Sequence, residues 1–464
     1  MTSVITRAPE PPQGGEPAPA DTRRKAALAL LVLVALAAWA VATGNGIYAL
    51  GAFGFVVALL VSVTLHEGGH FLTARHYGMK ATQFFVGFGP TLWSRRTGET
   101  EWGVKAIPAG GFVKIVGMTQ LEEVEPGDER RAFWRQPARQ RVVVLAAGST
   151  VHFLIAIVLI LGSALVIGKP VERSPGIGAL VACVPATVQT AKDAAKAGAD
   201  PCAGPGALRS PAQQAGLRAG DVVTAVDGRP VEGVLAFIEA VRASPGSPLR
   251  VSVERAGATR EITVTPAPVQ RTRFPAPGTD PKAVQPVVQV GAIGVAPQPR
   301  QATEQLNPVE AVGYSVTTAG RLVEGLATTV TEKLGTITQV YGPDRDPAGF
   351  VGVVGAGRVS GEVLASQETL GFKILAFLML IAGLNFFVGV FNLLPLMPLD
   401  GGHIAVLAYE QARHRVRRLF GYTGELRRVD LRKLLPLTYA VVLLFAGFTL
   451  WLLGADIVNP IRIS

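Results

Sequence analysis

Apolar residues in this chain gather into long unbroken runs, and the stretches between them change from one polar pattern to another. Runs at 25–43, 47–76, 142–168, 372–400 and 434–455 are each long enough to span the roughly 30 Å hydrocarbon core of a bilayer as helices. The first follows Arg23, Arg24 and Lys25 and suits either a retained helix or a signal peptide ending at Ala40-Val41-Ala42. Residues 1–24 are rich in Pro, Gly, Ala and Glu without apolar periodicity, which predicts a disordered tail.

Between the runs the periods differ. Residues 80–115 alternate aromatic and β-branched residues with glycine, as in Phe84-Phe85-Val86-Gly87-Phe88-Gly89-Pro90 and Ile107-Pro108-Ala109-Gly110-Gly111-Phe112-Val113, which predicts a membrane-associated β region. Its edge is a candidate acceptor for a peptide added as an extra strand, with Gly87, Gly89, Gly110 and Gly111 as candidate substrate-binding positions. The stretch 349–355 is a second candidate edge. Residues 303–345 carry apolar positions every three or four residues between charges, the mark of an amphipathic helical segment lying on an apolar surface. At 175–268, Ala215-Gly216-Leu217-Arg218-Ala219-Gly220-Asp221 leads into a strand at 222–226, an Asp227-Gly228 turn, a helix at about 234–243 and alternating strands. That order resembles the PDZ domains of bacterial proteases.

Composition agrees with a membrane protein: of 464 residues, 49% are hydrophobic and 17% charged, and the mean hydropathy is +0.35. The net charge of +10 does not point to nucleic acid, because the cations lie beside apolar runs and form no groove-reading motif. Arg413, Arg415, Arg417, Arg418, Arg427, Arg428, Arg432 and Lys433 mark a cytoplasmic segment. Counting spans from there puts the PDZ-like section outside. Cys183 and Cys202 both fall in that section, where a disulfide and two unpaired thiols are both open readings. The predicted fold is therefore an α-helical multi-pass membrane protein with a membrane-associated β-hairpin region and an extracytoplasmic PDZ-like α+β domain.

The second run contains His66-Glu67-Gly68-Gly69-His70. Four residues apart on a helix, the two imidazoles face one side and can share a tetrahedral zinc ion, with Glu67 beside it as a general base. Two histidines and a glutamate in an apolar helix each cost a few kcal/mol without partners, so a bland placement is disfavoured. A third ligand comes from Asn392-Leu393-Leu394-Pro395-Leu396-Met397-Pro398-Leu399-Asp400-Gly401-Gly402-His403. Pro395 and Pro398 break the helix and leave Asp400 on irregular backbone at membrane depth, which favours a functional carboxylate; His403 is the alternative. A catalytically silent PDZ scaffold would not need Glu67, and a metal transporter would spread ligands over several spans.

Together, H-E-x-x-H in an early span, the Phe-Val-Gly-Phe-Gly-Pro strand followed by Pro-x-Gly-Gly, a PDZ-like domain and a late Asn-x-x-Pro-x-x-Pro-x-Asp-Gly-Gly-His are similar to the site-2 protease family over nearly everything after about Gly46. The resemblance implies that His66, His70 and Asp400 bind zinc, that Glu67 is the base and that Asn392 helps hold substrate or oxyanion. It implies an intramembrane zinc metalloendopeptidase of the cell membrane with its active site toward the cytoplasm. Its substrates would be single-pass membrane proteins, often anti-sigma factors already cut by another protease. Two departures stand out: glycines at 68 and 69, read as permitting close helix approach, and His152 where relatives often carry an asparagine. His152 is either a polar interhelical contact or a part of catalysis or metal access. Asn385, seven positions before Asn392 and so roughly on the same helical face, either helps hold substrate or oxyanion or is an interhelical hydrogen-bonding residue.

Overall fold

The computed structural model describes residues 45–118, 124–187, 202, 207–273, 286–332, 334–342, 345, 349–366 and 368–461. The predicted tail and first apolar run lie outside the described residues. The chain divides into two compact units, one built from 1–168, 305–367 and 373–464, the other from 169–304 and 368–372. In chain order the elements are α1 (Gly46–His76), β1 (Ala81–Thr97), β2 (Thr100–Ile115) and α2 (Ala138–Val166), then β3 (Lys169–Leu180), β4 (Cys183–Val184), β5 (Leu208–Arg209), α3 (Pro211–Ala215), β6 (Val222–Val226), β7 (Arg229–Pro230) and α4 (Gly233–Arg242). They continue with β8 (Leu249–Arg255), β9 (Ala258–Val264), β10 (Ala267–Thr272), β11 (Val287–Ala292) and β12 (Val295–Glu304), followed by α5 (Pro308–Glu332), α6 (Val353–Ala365), α7 (Leu370–Asn392), α8 (Asp400–Leu419) and α9 (Leu435–Val458).

In the first unit, α1, α2, α7 and the helix ending in α9 are long and apolar enough to cross a membrane, matching the four predicted runs that fall among the described residues. Their outward faces carry exposed Leu, Ile, Val and Phe, as a lipid-facing surface requires. The polar residues they bury are few: Ser62, His66 and His70 on α1, Arg141, Ser149, His152 and Ser163 on α2, Asn385 on α7 and Asp456 on α9. Helices approach closely where side chains are absent. A Cβ on Gly69 would lie 2.8 Å from the Ala147 carbonyl oxygen, so this glycine sets the α1–α2 crossing, whereas one on Gly68 would meet nothing within 4 Å. The reading of the glycine pair as an approach device holds for Gly69 alone.

The β region is more folded than a hairpin. Residues 81–86 pair with 111–115 on one side and with 101–104 on the other, while 93–97 pair with 100–104, so two bent strands make a sheet of four rungs. The bends fall at Gly87 and Gly89, with φ of +89° and +80°, and Gly110 also has a positive φ. One face packs Phe84 and Ile115 onto Phe71 and Ala74 of α1 and Val144 and Leu145 of α2, a shared core that fixes the sheet against the two helices.

Two expectations change here. Residues 350–352 form no strand, and Val353 opens α6, because the Asp456 carboxylate accepts the Gly355 N–H at 2.8 Å and satisfies an otherwise orphaned helix-start donor. The predicted 372–400 segment is also not one element: α7 ends at Asn392, and Asp400 is the first residue of α8 rather than part of an irregular stretch. The amphipathic segment is helical over Pro308–Glu332, opened by a reciprocal cap in which Asn307 and Glu310 each accept the other's backbone N–H at 3.0 Å.

The second unit is a sheet in the order β12-β3-β6-β8-β9, with β7 paired to β6. Ile177, Val223, Val251 and Val253 from its strands and Phe237 and Val241 from α4 form its core. Asp227 and Gly228 both have positive φ, the two-residue turn that the Asp-Gly pair predicts. Cys183 and Cys202 form a disulfide. The unit runs past both ends of the 175–268 segment, since β3 begins at Lys169 and pairs with β12 along most of its length.

Candidate metal centre

Two elements bring the ligand candidates together. His66 and His70 lie one turn apart on α1, 7% and 3% exposed, and Asp400 reaches them from the first turn of α8. The seven residues before it turn tightly enough that a Cβ on Gly402 would lie 2.7 Å from the Leu396 carbonyl oxygen, and one on Gly401 would overlap the Leu393 carbonyl. The Asp-Gly-Gly sequence is thus what lets the loop fold back and deliver the carboxylate.

The donor atoms form a near-equilateral triangle: His66 Nε2 to His70 Nε2 is 3.1 Å, His66 Nε2 to Asp400 Oδ2 is 3.4 Å, and His70 Nε2 to Asp400 Oδ2 is 3.3 Å. Bonds of about 2.0–2.1 Å in a tetrahedron place ligand atoms about 3.3–3.4 Å apart, so the triangle fits one face of a zinc coordination sphere. Asp400 Oδ2 is buried with no hydrogen-bond partner among the described residues, the signature of an oxygen reserved for a cation. His70 Nδ1 lies 2.7 Å from the Val144 carbonyl oxygen, which can only accept. The proton therefore sits on Nδ1 and the Nε2 lone pair points into the triangle. His403, the alternative ligand, is not part of this group.

Glu67 stands beside the triangle on α1. Its Oε2 accepts the Val113 N–H at 2.9 Å, so the edge rung of the sheet holds the proposed base in place. A Cβ on Gly111 would lie 3.5 Å from Glu67 Cγ, which puts that glycine of the Pro-x-Gly-Gly sequence against Glu67. Gly87 and Gly89 lie at the bend, and Asn392 closes α7, half-buried, at the start of the loop that delivers Asp400.

Behind the triangle runs a polar relay. Asn385 is 1% exposed and its Nδ2 donates to Ser62 Oγ at 3.0 Å and to the Ile381 carbonyl at 2.9 Å. That fixes the amide, so Asn385 Oδ1 accepts from His152 Nδ1 at 2.8 Å. The His152 ring centroid lies 4.9 Å from that of His66. These residues form an interhelical contact joining α1, α2 and α7, and it abuts His66.

Gly148 was not identified as functional from sequence. A Cβ there would lie 2.5 Å from His70 Nε2 and 2.6 Å from His66 Nε2, inside the space the ligands need. The small-residue run Ala146-Ala147-Gly148-Ser149 on α2 is the signal that marks such an approach.

The sequence matches the model for peptidase family M50 over residues 54–423. It is 39% identical to the zinc metalloprotease Rip1 of Mycolicibacterium smegmatis over 424 residues, covering 90% of this chain and 99% of that protein. It is 39% identical to Rip1 of Mycobacterium tuberculosis over 418 residues, 88% of this chain and 97% of the relative. The chain belongs to peptidase family M50. A more distant member, the regulator of sigma-E protease RseP of Salmonella typhimurium, is 28% identical over 439 residues, 77% of this chain and 90% of the relative. As an M50 protein this chain is a zinc metalloprotease of the site-2 protease family and a membrane protein, and the His-His-Asp group is where its zinc fits.

Proposed function

We propose that this M50 protease cuts single-pass membrane proteins within or near the bilayer, with His66, His70 and Asp400 as zinc ligands and Glu67 as general base. One observation carries the proposal: the ligand triangle and Glu67 lie on and beside helices long and apolar enough to span a membrane. Zinc bound there supplies Lewis acidity, lowering the pKa of water toward neutrality and polarising the scissile carbonyl. Glu67 takes the proton of the attacking water on its carboxylate and passes it to the leaving nitrogen. Val113 N–H holds Oε2 and so orients the other oxygen for that transfer. A helical substrate has its carbonyls bonded and covered, so it must unwind before attack. The edge rung at 111–115, beside Glu67, accepts the unwound segment as an added strand, with Gly110 and Gly111 leaving room for it. Asn392 holds the substrate from the end of α7.

The strand order, helix α4 and turn at Asp227-Gly228 support reading the second unit as a PDZ-like domain. Its disulfide favours an oxidising, extracytoplasmic setting, and the arginines of 413–433 favour the cytoplasm for the loop after α8. The active site then faces the cytoplasmic side. The Salmonella relative is named a regulator of sigma-E protease, which supports a part in sigma-factor control, and the substrates in this reading are anti-sigma factors already cut outside. The PDZ-like domain admits such trimmed proteins by excluding bulkier ones.

The test is cleavage of a single-pass substrate, with and without its outer domain, by zinc-loaded protein in vesicles, with the cut mapped by mass. A cut in or next to the span is expected, and the trimmed substrate is preferred. Deleting residues 170–303 should preserve zinc and abolish the preference. Cutting confined to soluble segments overturns the intramembrane reading, while weaker cleavage of trimmed substrate after the deletion assigns the domain to capture instead.

A further inference from the structure

One turn before Val144, α2 carries a buried cation that the zinc chemistry does not use. Arg141 is 8% exposed and its Nε is buried without a hydrogen-bond partner among the described residues. It lines a cavity of about 50 Å³ with Met118, Trp134, His403, Glu410 and Arg428. Space of that size holds several waters or one small anion.

The other charges around the cavity are already engaged. Arg428 Nη2 donates to the Trp134 carbonyl at 2.7 Å, and its guanidinium stacks 4.7 Å above the Trp134 ring. Glu410 is 4% exposed, and its Oε1 accepts the Val429 N–H at 2.7 Å. Trp134 is itself pinned, since a Cβ on Gly117 would lie 2.6 Å from its Cδ1. Two guanidinium groups against one carboxylate leave the cavity with net positive charge. The helix that carries Arg141 also starts with no acidic residue in its first turn and no side-chain cap, so its positive end adds to the field. A buried guanidinium without an acceptor is costly, and an oxyanion is the ligand that removes the cost by pairing with its planar fork.

We infer that this cavity is a binding site for an oxyanion of the carboxylate or phosphate class. Its walls adjoin the metal centre through three elements: Arg141 is one turn from Val144, whose carbonyl holds His70; His403 is one turn from Asp400; and Met118 follows the rung that holds Glu67. Peptide hydrolysis creates a carboxylate, and the new C-terminus of the fragment released on this side is the source that fits the position. That choice of source rests on the proposed intramembrane cleavage; the site itself does not.

The experiment uses the full chain as the Glu67→Gln variant, zinc-loaded in detergent, so that binding is read without turnover. Thermal midpoints are measured against inorganic phosphate, against chloride at equal ionic strength, and against a short apolar peptide as its free acid and as its C-terminal amide. Phosphate or the peptide acid should raise the midpoint in a saturable way that chloride and the amide do not match. Adding Arg141→Met should weaken the half-saturation point by roughly tenfold or more. Arg141→Lys, which keeps the charge, should retain part of the effect. Glu410→Gln, which keeps the acceptor for Val429 but removes the competing charge, should tighten binding. A response to the peptide acid identifies the product C-terminus as the source, and a response to phosphate alone assigns a soluble anion. No saturable response, or an equal one in Arg141→Met protein of normal zinc content, overturns the site. So does a Glu410→Gln variant that loses stability without gaining affinity, because Arg141 would then be the structural partner of Glu410. Failure to cleave membrane substrates leaves the anion site itself unaffected and counts against the proposed function and against the product C-terminus as the source.

Discussion

Two aspartates with a buried carboxylate oxygen, one in each unit, have opposite surroundings. In the β-rich unit, Asp221 accepts from Arg255 Nε at 2.6 Å, from Arg255 Nη2 at 2.7 Å and from the Arg218 N–H at 2.8 Å, so both oxygens are used. In the helical unit, Asp400 Oδ2 lies 3.3 and 3.4 Å from two histidine nitrogens and has no hydrogen-bond partner among the described residues. A saturated carboxylate holds a fold together; an orphaned one beside imidazoles awaits a cation. Burial alone does not separate the two cases, but a count of partners does.

The largest effect should come from Asp400→Ala. Removing one of three protein ligands should drop zinc well below one per chain by metal analysis and abolish cleavage, whereas His403→Ala should largely spare both. Retained zinc in the Asp400 variant would undo the comparison. Glu67→Gln should keep zinc yet slow cleavage by about a hundredfold or more, since the amide cannot accept a proton. Substantial turnover by that zinc-loaded variant would remove Glu67 from its role. Next in size is Gly148→Ala, whose new methyl group enters the ligand space and should weaken zinc by roughly tenfold to a hundredfold, in the range of outer-shell substitutions. Gly68→Ala, with nothing within 4 Å of the new carbon, is the paired control and should change neither zinc nor activity.

The smallest effect on catalysis belongs to Asp221→Asn, which should lower the unfolding midpoint of the β-rich unit and leave zinc content unchanged. Burial works to raise the Asp221 carboxyl, but the Arg255 guanidinium and the Arg218 N–H more than reverse it, so it titrates below the ordinary aspartate range. A carboxyl lowered in the folded state stabilises above its unfolded pKa of about 3.9, and that contribution is lost as the pH falls through the lowered value. Midpoints of wild type and Asp221→Asn should therefore differ near neutrality and converge in acid. A gap that persists in acid would assign the effect to packing rather than charge.

Much of this was legible in the sequence. Long apolar runs determine membrane helices because a bilayer forces the backbone to satisfy its own hydrogen bonds. The spacing of His66 and His70 determines a shared face because a helix turns every 3.6 residues, and Asp227-Gly228 specifies its turn through the φ values it tolerates. These are local rules, readable within a few residues. Tertiary structure alone decided what depends on distant partners. It brought Asp400, 330 positions after His70, to the two imidazoles by folding a Gly-Gly loop under itself. It turned 353–355 from a possible strand into a helix start by supplying the Asp456 carboxylate from α9. It joined His152 and Asn385 across 233 positions, and it required Gly148 to be bare because two imidazoles occupy the space beside it. Sequence spacing encodes which way a side chain points on its own element, but what it meets there depends on packing, which no local pattern contains.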